Sequence, residues 1–256
     1  MSSVAALTTR LRSGSPVLSA WCGIPEPLVA GILAGEAFDA VTLDMQHGAV
    51  DLTAAIRTLP LIAAAGKPGL VRVPVGDFAT ASRLLDAGAS AVIAPMINTV
   101  EDAQRFGAFM KYPPLGERSW GPHGALTLTG LQAGDYLAQA NHLSTSFAMV
   151  ETREALAIVD DILGTRGIDG IFLGPSDLSI ALSRGAGLNP FSGEVDQALS
   201  HALARAKAAE KWVGVYAATG DRASQHLKQG FDLVALGSDT VILRSGAQAL
   251  LKAARA

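Results

Sequence analysis

Residues 170–177 read Gly-Ile-Phe-Leu-Gly-Pro-Ser-Asp, an apolar run that passes through a tight turn to an acid. Residues 149–151, Met-Val-Glu, end an earlier apolar run in a similar way. Between them Ala155, Leu156 and Val159 have helical spacing. An acid at the end of a buried strand points into the functional mouth when such strands form a parallel barrel. The two segments therefore predict a strand, a helix and a second strand, with both carboxylates at one rim.

Eight short apolar runs of this kind recur along the chain, each bounded by turn residues. Their apolar character is continuous, as expected of parallel strands that are covered on both faces. Helical patterns separate the runs, which favours an α/β fold with a single (β/α)8 TIM barrel over residues 1–256; a doubly wound open sheet is the alternative. The predicted strands are 17–21, 40–43, 70–73, 91–94, 147–150, 170–173, 213–216 and 233–236.

The sequence also predicts where two helices begin and which connections are long. Asp77 and Thr99 are predicted N-caps, and Asp102 is the capping-box partner of Thr99. Residues 112–141 and 183–193 are longer connections than a barrel needs, so we expect them to be functional or to face a partner.

Composition restricts the class of protein. A chain of 256 residues that is 49% apolar can bury a large core, and its net charge of -3 without a basic cluster argues against nucleic-acid binding. The single cysteine, Cys22, gives no sign of an oxidising compartment, and we expect a cytoplasmic protein. The sequence shows neither a signal-peptide pattern nor a run of apolar residues long enough to span a membrane.

Glu151 and Asp177 are the candidate metal ligands. Each alone is also explained as an acid near the start of a helix. Together, at the ends of the fifth and sixth predicted strands, they would lie side by side, and hard divalent cations such as Mg²⁺ prefer oxygen ligands. Two carboxylates also leave coordination positions for water and a chelating substrate, so the sequence favours a metal site.

His47 is the candidate general base. It follows the second predicted strand, three residues after Asp44, an acid available to orient its imidazole. A structural hydrogen-bonding role is the alternative. His201 and His226 fall in helical patterns where we expect exposure to solvent.

Arg72 interrupts the apolar run Leu70-Val-Arg-Val, which predicts a guanidinium in the mouth of the barrel. Burying an unpaired cation is costly, so an anion must lie nearby. One interpretation is an ion pair with Glu151 or Asp44. The other is stabilisation of an oxyanion that develops during a reaction.

The small-residue turns 174–176 and 237–239 offer backbone amides that could bind a carboxylate or phosphate, although any tight turn favours such residues. None of the six lysines ends a predicted strand on its C-terminal side, so a Schiff-base mechanism lacks its residue. Cys22 is better explained as a small buried side chain than as a nucleophile.

Five motifs together resemble the 4-hydroxy-2-oxoheptanedioate aldolase family of class II pyruvate aldolases, within the phosphoenolpyruvate/pyruvate barrel superfamily. The resemblance extends from about the first strand to the eighth, and the form Asp-Met-Gln-His is similar to that of the hydroxyketoacid aldolases. The motifs are Leu-Asp-Met-Gln-His-Gly (43–48), Val-Arg-Val-Pro (71–74), Tyr-Pro-Pro-Leu-Gly-Glu-Arg (112–118), Met-Val-Glu-Thr-Arg-Glu-Ala (149–155) and Phe-Leu-Gly-Pro-Ser-Asp-Leu-Ser (172–179).

The resemblance implies a role for each site residue. It implies that Glu151 and Asp177 bind Mg²⁺, Mn²⁺ or Co²⁺, that His47 with Asp44 forms the base, and that Arg72 stabilises the enolate. Substrate-binding positions are implied at Gln46, near a water ligand of the metal, and along the turn at Gly174, Ser176 and Asp177. Many relatives carry Glu in place of Gln46. A hexamer with a C-terminal helix exchanged between subunits is implied as well.

The sequence thus predicts a metal-dependent aldolase that cleaves 4-hydroxy-2-oxo acids to an aldehyde and pyruvate or a close analogue such as hydroxypyruvate. An acyl-CoA lyase of the citrate-lyase or malyl-CoA type is one alternative, although no basic cluster is present for the phosphates of CoA. A non-catalytic ligand-binding barrel is the other. Expected partners are small molecules and further copies of the chain, with neither nucleic acid nor membrane.

Overall fold

The computed structural model describes residues 2–256, which form eight strands and thirteen helices. The strands pair in parallel, each with its neighbours in the chain, and β1 pairs with β8 to close a barrel. They are β1 (Val17–Cys22), β2 (Ala40–Asp44), β3 (Gly69–Arg72), β4 (Ala91–Ala94), β5 (Thr145–Val150), β6 (Gly170–Leu173), β7 (Trp212–Ala217) and β8 (Leu233–Leu236). The predicted (β/α)8 barrel is confirmed, and the open-sheet alternative is wrong.

Most of the helices lie outside the barrel, where their apolar faces cover the strands. They are α1 (Ser3–Arg12), α2 (Pro27–Gly35), α3 (Leu52–Ala64), α4 (Phe78–Asp86), α5 (Val100–Met110), α6 (His123–Thr129), α7 (Ala133–Leu143), α8 (Arg153–Ala157), α9 (Val159–Gly164), α10 (Pro175–Leu182), α11 (Gly193–Ala208), α12 (Gly220–Gln229) and α13 (Asp239–Ala254). No helix within residues 2–256 is long and apolar enough to cross a membrane.

Local sequence explains several helix boundaries. Asp77 caps α4 by accepting the N–H of Thr80, as predicted. Thr99 caps α5 by accepting the N–H of Asp102, and the Asp102 carboxylate in turn accepts the Thr99 hydroxyl. The connection at 112–141 is longer than a barrel needs, as predicted, and it contains α6 and most of α7.

Helix α1, which the sequence did not predict, packs onto the interior of the barrel. Its Leu7 and Leu11 belong to the same apolar cluster as Leu70, Phe147 and Leu233, which lie on the strands. The strand interior is therefore filled at that end, and α1 leaves only the C-terminal ends of the strands open for a binding site.

Three carboxylates hold neighbouring strands together at their N-terminal ends. Each lies just before an even-numbered strand and accepts a backbone N–H from the preceding strand, while a basic side chain pairs with it. The three sets are Asp39 with Leu18 and Arg10, Asp169 with Ser146 and Lys111, and Asp232 with Val213 and Lys207. These contacts stabilise the barrel at the end opposite the candidate site.

Candidate functional site at the C-terminal ends of the strands

A cavity of about 430 Å³ opens where the C-terminal ends of the strands meet. Its walls come from the ends of β1, β2, β3, β5, β6 and β7 and from the segments that follow β1, β2, β6 and β8. Charged and aromatic side chains share this space. Those relevant here are Trp21, Asp44, His47, Arg72, Asp177 and Tyr216.

Asp44 and Arg72 form a bidentate ion pair at the bottom of the cavity. The parallel register of β2 and β3 places the two residues side by side. Arg72 Nε donates to Asp44 Oδ1 at 2.8 Å, and Nη2 donates to Oδ2 at 2.6 Å. Burial by itself raises the pKa of Asp44, but the hydrogen bonds and charge of Arg72 outweigh burial and lower that pKa below its ordinary value. Asp44 is therefore the anion that the buried guanidinium requires.

The ion pair leaves part of Arg72 free for a ligand. Trp21 Nε1 donates to Asp44 Oδ2 at 3.2 Å, and the Arg72 guanidinium lies 4.8 Å from the centre of the Trp21 ring. Among the residues that the structure describes, Arg72 Nη1 has no protein acceptor. Arg72 therefore pairs with Asp44 and also lines the cavity, and its role in stabilising an oxyanion stays a prediction.

His47 is held through its backbone. Asp44 Oδ1 accepts the N–H of Gln46 at 3.0 Å and the N–H of His47 at 3.3 Å, which fixes the start of the loop after β2. The imidazole is exposed and lines the cavity. Within residues 2–256 no hydrogen bond joins this ring to the Asp44 carboxylate. The link between the two residues therefore runs through the main chain, and the role of His47 stays a prediction.

Glu151 is a buried acid, and its second carboxylate oxygen, Oε2, accepts no hydrogen bond from the residues that the structure describes. Its exposed fraction is 1%, and Oε1 accepts the N–H of Met96 at 2.8 Å. Met96 adopts φ 54°, a left-handed conformation that is rare for such a residue and is typical of functional sites. The pKa of Glu151 is raised to about 7, mainly by burial and also by the charge of Asp177, while the Met96 N–H and the charge of Arg72 act in the lowering direction. A carboxylate in this position is stabilised by a nearby cation.

Gly174 separates Glu151 from the cavity. A Cβ atom at this position would lie 2.6 Å from Glu151 Oε2, which explains why the turn after β6 has a glycine here. Gly174 lines the cavity, whereas Glu151 lies directly behind it. The missing side chain keeps the second carboxylate oxygen close to the cavity wall.

Asp177 lies in the first turn of α10 and lines the cavity, half-buried. Its carboxylate makes no hydrogen bond to any described residue, and α10 has no side-chain cap. Thr152, not Glu151, caps α8. Neither acid caps a helix through a side-chain hydrogen bond, but Asp177 does lie in the first turn of α10, where the helix dipole favours an acid, as its alternative explanation expects.

The donor set fits a hard divalent cation. No group of three or more His, Cys, Asp and Glu side chains is placed to hold a metal in residues 2–256, so the site offers two acids and leaves other positions for water and substrate. Gln46 Oε1 is buried and accepts no hydrogen bond from the described residues. This oxygen is free to accept a hydrogen bond from an ordered water or a ligand near the acids.

Backbone donors at the start of α10 complete the site. Pro175 is the first residue of this helix and has no N–H, so the N–H groups of Ser176 and Asp177 are the first that the helix leaves without an internal partner. Both residues line the cavity. Their position suits a ligand carboxylate, because a helix N-terminus attracts negative charge.

Two aromatic residues of the cavity, Trp21 and Tyr216, were not predicted as site residues. Their rings meet edge to face with centres 5.6 Å apart. Each is an aromatic residue with a polar atom near the end of a predicted strand, and that is the signal that would have identified them. The predicted exposure of His226 is wrong, because α12 buries it to 2%. Cys22 is buried as expected, and burial, with the charge of Asp239, raises its pKa to about 12.

Lysine chemistry has no support at this site. No lysine lines the cavity within the described residues. Lys111, the deeply buried lysine, pairs with Asp169 at 2.6 Å near the opposite end of the barrel. The prediction that a Schiff-base lysine is missing agrees with this arrangement.

Comparison with known proteins identifies similar chains. Residues 19–245 match the family model described as HpcH/HpaI aldolase/citrate lyase. A hydroxypyruvate/pyruvate aldolase of Rhizorhabdus wittichii is 40% identical over 243 residues, covering 95% of this chain and 96% of that protein. A 4-hydroxy-2-oxo-heptane-1,7-dioate aldolase of Salmonella dublin is 35% identical over 94% of this chain and 90% of that protein. A solved family protein from Burkholderia cenocepacia is 29% identical with a TM-score of 0.87, covering 98% and 100% of the two chains.

Proposed function

The chain belongs to the HpcH/HpaI aldolase/citrate lyase family, a family of carbon–carbon lyases, and we propose that it cleaves 4-hydroxy-2-oxo acids reversibly to an aldehyde and pyruvate or hydroxypyruvate. The observation that carries this proposal is the convergence of Arg72, His47 and Asp177 on one cavity, with Glu151 directly behind its wall. The site thus combines a cation, an exposed imidazole and the two acids that are proposed as metal ligands.

A divalent cation is the proposed cofactor, and Glu151 and Asp177 are the residues that would hold it. When bound, such a cation attracts the oxygens of a 2-oxo acid and stabilises negative charge on the keto oxygen. Mg²⁺, Mn²⁺ and Co²⁺ are all proposed as the cation, because each binds carboxylate oxygens.

The remaining polar groups bind and orient the substrate. The N–H groups of Ser176 and Asp177 are placed to bind its carboxylate, next to the turn at Gly174. Arg72 Nη1 is the free donor for the keto oxygen, and the ion pair with Asp44 keeps the guanidinium in place. Gln46 is proposed to accept a hydrogen bond from a water near the acids.

His47 is the proposed proton carrier. In the cleavage direction its imidazole takes the proton of the C4 hydroxyl, the oxygen electrons form the aldehyde carbonyl, and the bond between C3 and C4 breaks. The released electron pair forms the enolate, whose oxygen lies against Arg72. The protonated imidazole of His47 then gives its proton to C3, which yields the 2-oxo acid product and restores the neutral ring, and the reverse steps form the bond.

The test is turnover of a short 4-hydroxy-2-oxo acid without CoA, followed by the appearance of pyruvate and aldehyde. Cleavage that needs a divalent metal but no CoA supports the proposal. If only a CoA thioester is cleaved, the protein is an acyl-CoA lyase. If no oxo acid or thioester turns over with any of the three metals, it is a binding protein.

Arg72→Lys provides a prediction about the enolate. A lysine keeps the charge but cannot donate to both oxygens of Asp44 and also reach the substrate. We expect turnover to fall roughly 10²-fold, the scale of losing one oxyanion donor. Steady-state kinetics measure this, and circular dichroism with metal titration controls for fold and metal binding. Normal turnover would show that Arg72 serves only as the ion-pair partner of Asp44.

We propose further that α13 is exchanged between subunits of an oligomer, with the hexamer implied by resemblance. In the single chain nearly every residue of α13 after Thr240 is exposed or half-buried, including Leu250 at 75%. A helix of 16 residues with its apolar side chains in water is typical of an interaction surface. The exposed large apolar side chains are Val241, Leu243, Leu250 and Leu251.

Leu250→Asp combined with Leu251→Asp tests this surface. Charge in an apolar interface is costly, so we expect the variant to have a lower mass than the wild type at equal concentration. Light scattering after gel filtration measures it. Ala204→Asp, on the exposed face of α11, is the matched control. An unchanged mass in the double variant would place the subunit contacts elsewhere.

A further inference from the structure

Asp239 is a buried carboxylate that binds three backbone N–H groups. It is the first residue of α13, and its exposed fraction is 1%. Its Oδ2 accepts the N–H of Gly23 at 2.9 Å and that of Ile24 at 2.8 Å, and Oδ1 accepts the N–H of Thr240 at 2.8 Å. In the described part of the chain no basic side chain pairs with it. An unpaired buried charge is costly, so the amides are its source of stabilisation.

The turn that Asp239 holds lies against the loop that carries His47. The carbonyl of Gly23 accepts the N–H of Ala49 at 2.8 Å. Gly48 lies so close that a Cβ there would be 2.6 Å from the Gly23 Cα. The two segments therefore meet backbone to backbone, with no side chain between them to absorb a displacement.

His47 is held in place through the main chain of its loop and not through its side chain. Its imidazole makes no hydrogen bond within the described residues, and its backbone N–H is held by Asp44 at the front of the loop. The back of the loop is held at Ala49 by Gly23, and Gly23 by Asp239. The position of the imidazole thus depends on two carboxylates, one on each side of the loop.

We propose that Asp239 is a positioning residue for His47, acting through Gly23 and the 47–49 loop. This inference rests on the proposed function, in which His47 carries the proton. It connects Asp239, in the turn after β8, with the proposed chemistry of His47, in the loop after β2.

Asp239→Ala is the first test. Loss of all three hydrogen bonds frees the turn after β1, and a displacement of about 1 Å at a reacting group can cost about 10² in rate. We expect kcat to fall roughly 10- to 10²-fold on that scale, while KM for the oxo acid and metal affinity are little changed. Asp239→Asn, which retains one acceptor oxygen, should fall less and serves if the alanine variant does not fold.

A double-mutant cycle separates positioning from general structural damage. If Asp239 acts through His47, then adding Asp239→Ala to His47→Ala should lower the rate little further. Asp39→Ala is the matched control, because Asp39 also accepts a backbone N–H, that of Leu18 at 2.9 Å, at the other end of the barrel. Its effect on the rate should be small and the same with or without His47. An equal loss from Asp239→Ala in both backgrounds would overturn the proposal.

A spectroscopic measurement keeps the inference separate from the proposed activity. With ¹⁵N-labelled histidine, the imidazole signals of His47 should move in Asp239→Ala and stay in place in Asp39→Ala. Unmoved signals in Asp239→Ala would overturn the positioning role even in an active enzyme. Absence of lyase turnover in the wild type would overturn the proposed function instead, while a moved signal would still support the structural link.

Discussion

Glu151→Gln protein is expected to lose metal binding and, with it, cleavage of the oxo acid. The substitution keeps the size of the side chain and the hydrogen bond from Met96 at 2.8 Å, but removes the charge behind Gly174. Metal assistance is worth several kcal/mol at a transition state, and about 1.4 kcal/mol corresponds to tenfold in rate, so we expect a loss of roughly 10³-fold or more.

Metal content after dialysis against Mn²⁺ measures this independently of activity. The wild type should retain bound metal, and Glu151→Gln should not. Glu154→Gln, an exposed acid on α8 three residues further along, is the control and should behave like the wild type. Full metal content and rate in Glu151→Gln would remove Glu151 from the ligand set.

His47→Ala is expected to slow both cleavage and proton exchange at the methyl group of pyruvate. General-base contributions are typically 10²- to 10⁴-fold, and we expect the cleavage rate to fall by about that range. Metal affinity should be nearly unchanged, because His47 is exposed in its own loop and Glu151 is buried behind Gly174. Kinetics with saturating metal measure the loss.

His123→Ala is the control, since His123 is an exposed histidine at the start of α6 and does not line the cavity. It should leave the cleavage rate close to that of the wild type. Exchange at the wild-type rate in His47→Ala would assign proton transfer to another group.

The barrel was predictable because its strands carry their own signal. Continuous apolar runs separated by helical patterns are required when both faces of a parallel strand are buried. The predicted strand limits agree with the observed ones to within two residues at each end. The family resemblance, drawn from short motifs around the strand ends, is confirmed by the match over residues 19–245.

The contacts within the site were less predictable, because they depend on register and backbone angles. The sequence allows either Glu151 or Asp44 as the ion-pair partner of Arg72. Only the register of β2 with β3 selects Asp44. Met96, whose N–H binds Glu151, has a left-handed backbone conformation. The sequence does not indicate it, because this position is not a glycine. Asp239 lies in a turn whose composition resembles that of any tight turn, and its hydrogen bond with Gly23 joins residues 216 positions apart in the sequence.

The helices that do not alternate with strands were also missed, for a related reason. The α1 helix has a weak apolar pattern and is defined by its packing of Leu7 and Leu11 against the barrel interior. In the segment 112–141, glycines and prolines predict a loop, but Tyr112 and Tyr136 are buried with Ala125 and Ala140 in a small core of their own. Tertiary packing outweighed local propensity in both places.

Deuterium exchange at the methyl group of pyruvate tests whether the protein forms an enolate with the help of a metal, because it reports enolate formation without an aldehyde. The wild-type protein is stripped of metal with a chelator, returned to deuterated buffer with pyruvate, and followed by ¹H NMR with and without added Mg²⁺, Mn²⁺ or Co²⁺. We expect the methyl signal to be lost only when a divalent metal is present. Exchange at the same enzyme-catalysed rate in the metal-stripped protein would show that the enolate forms without a metal.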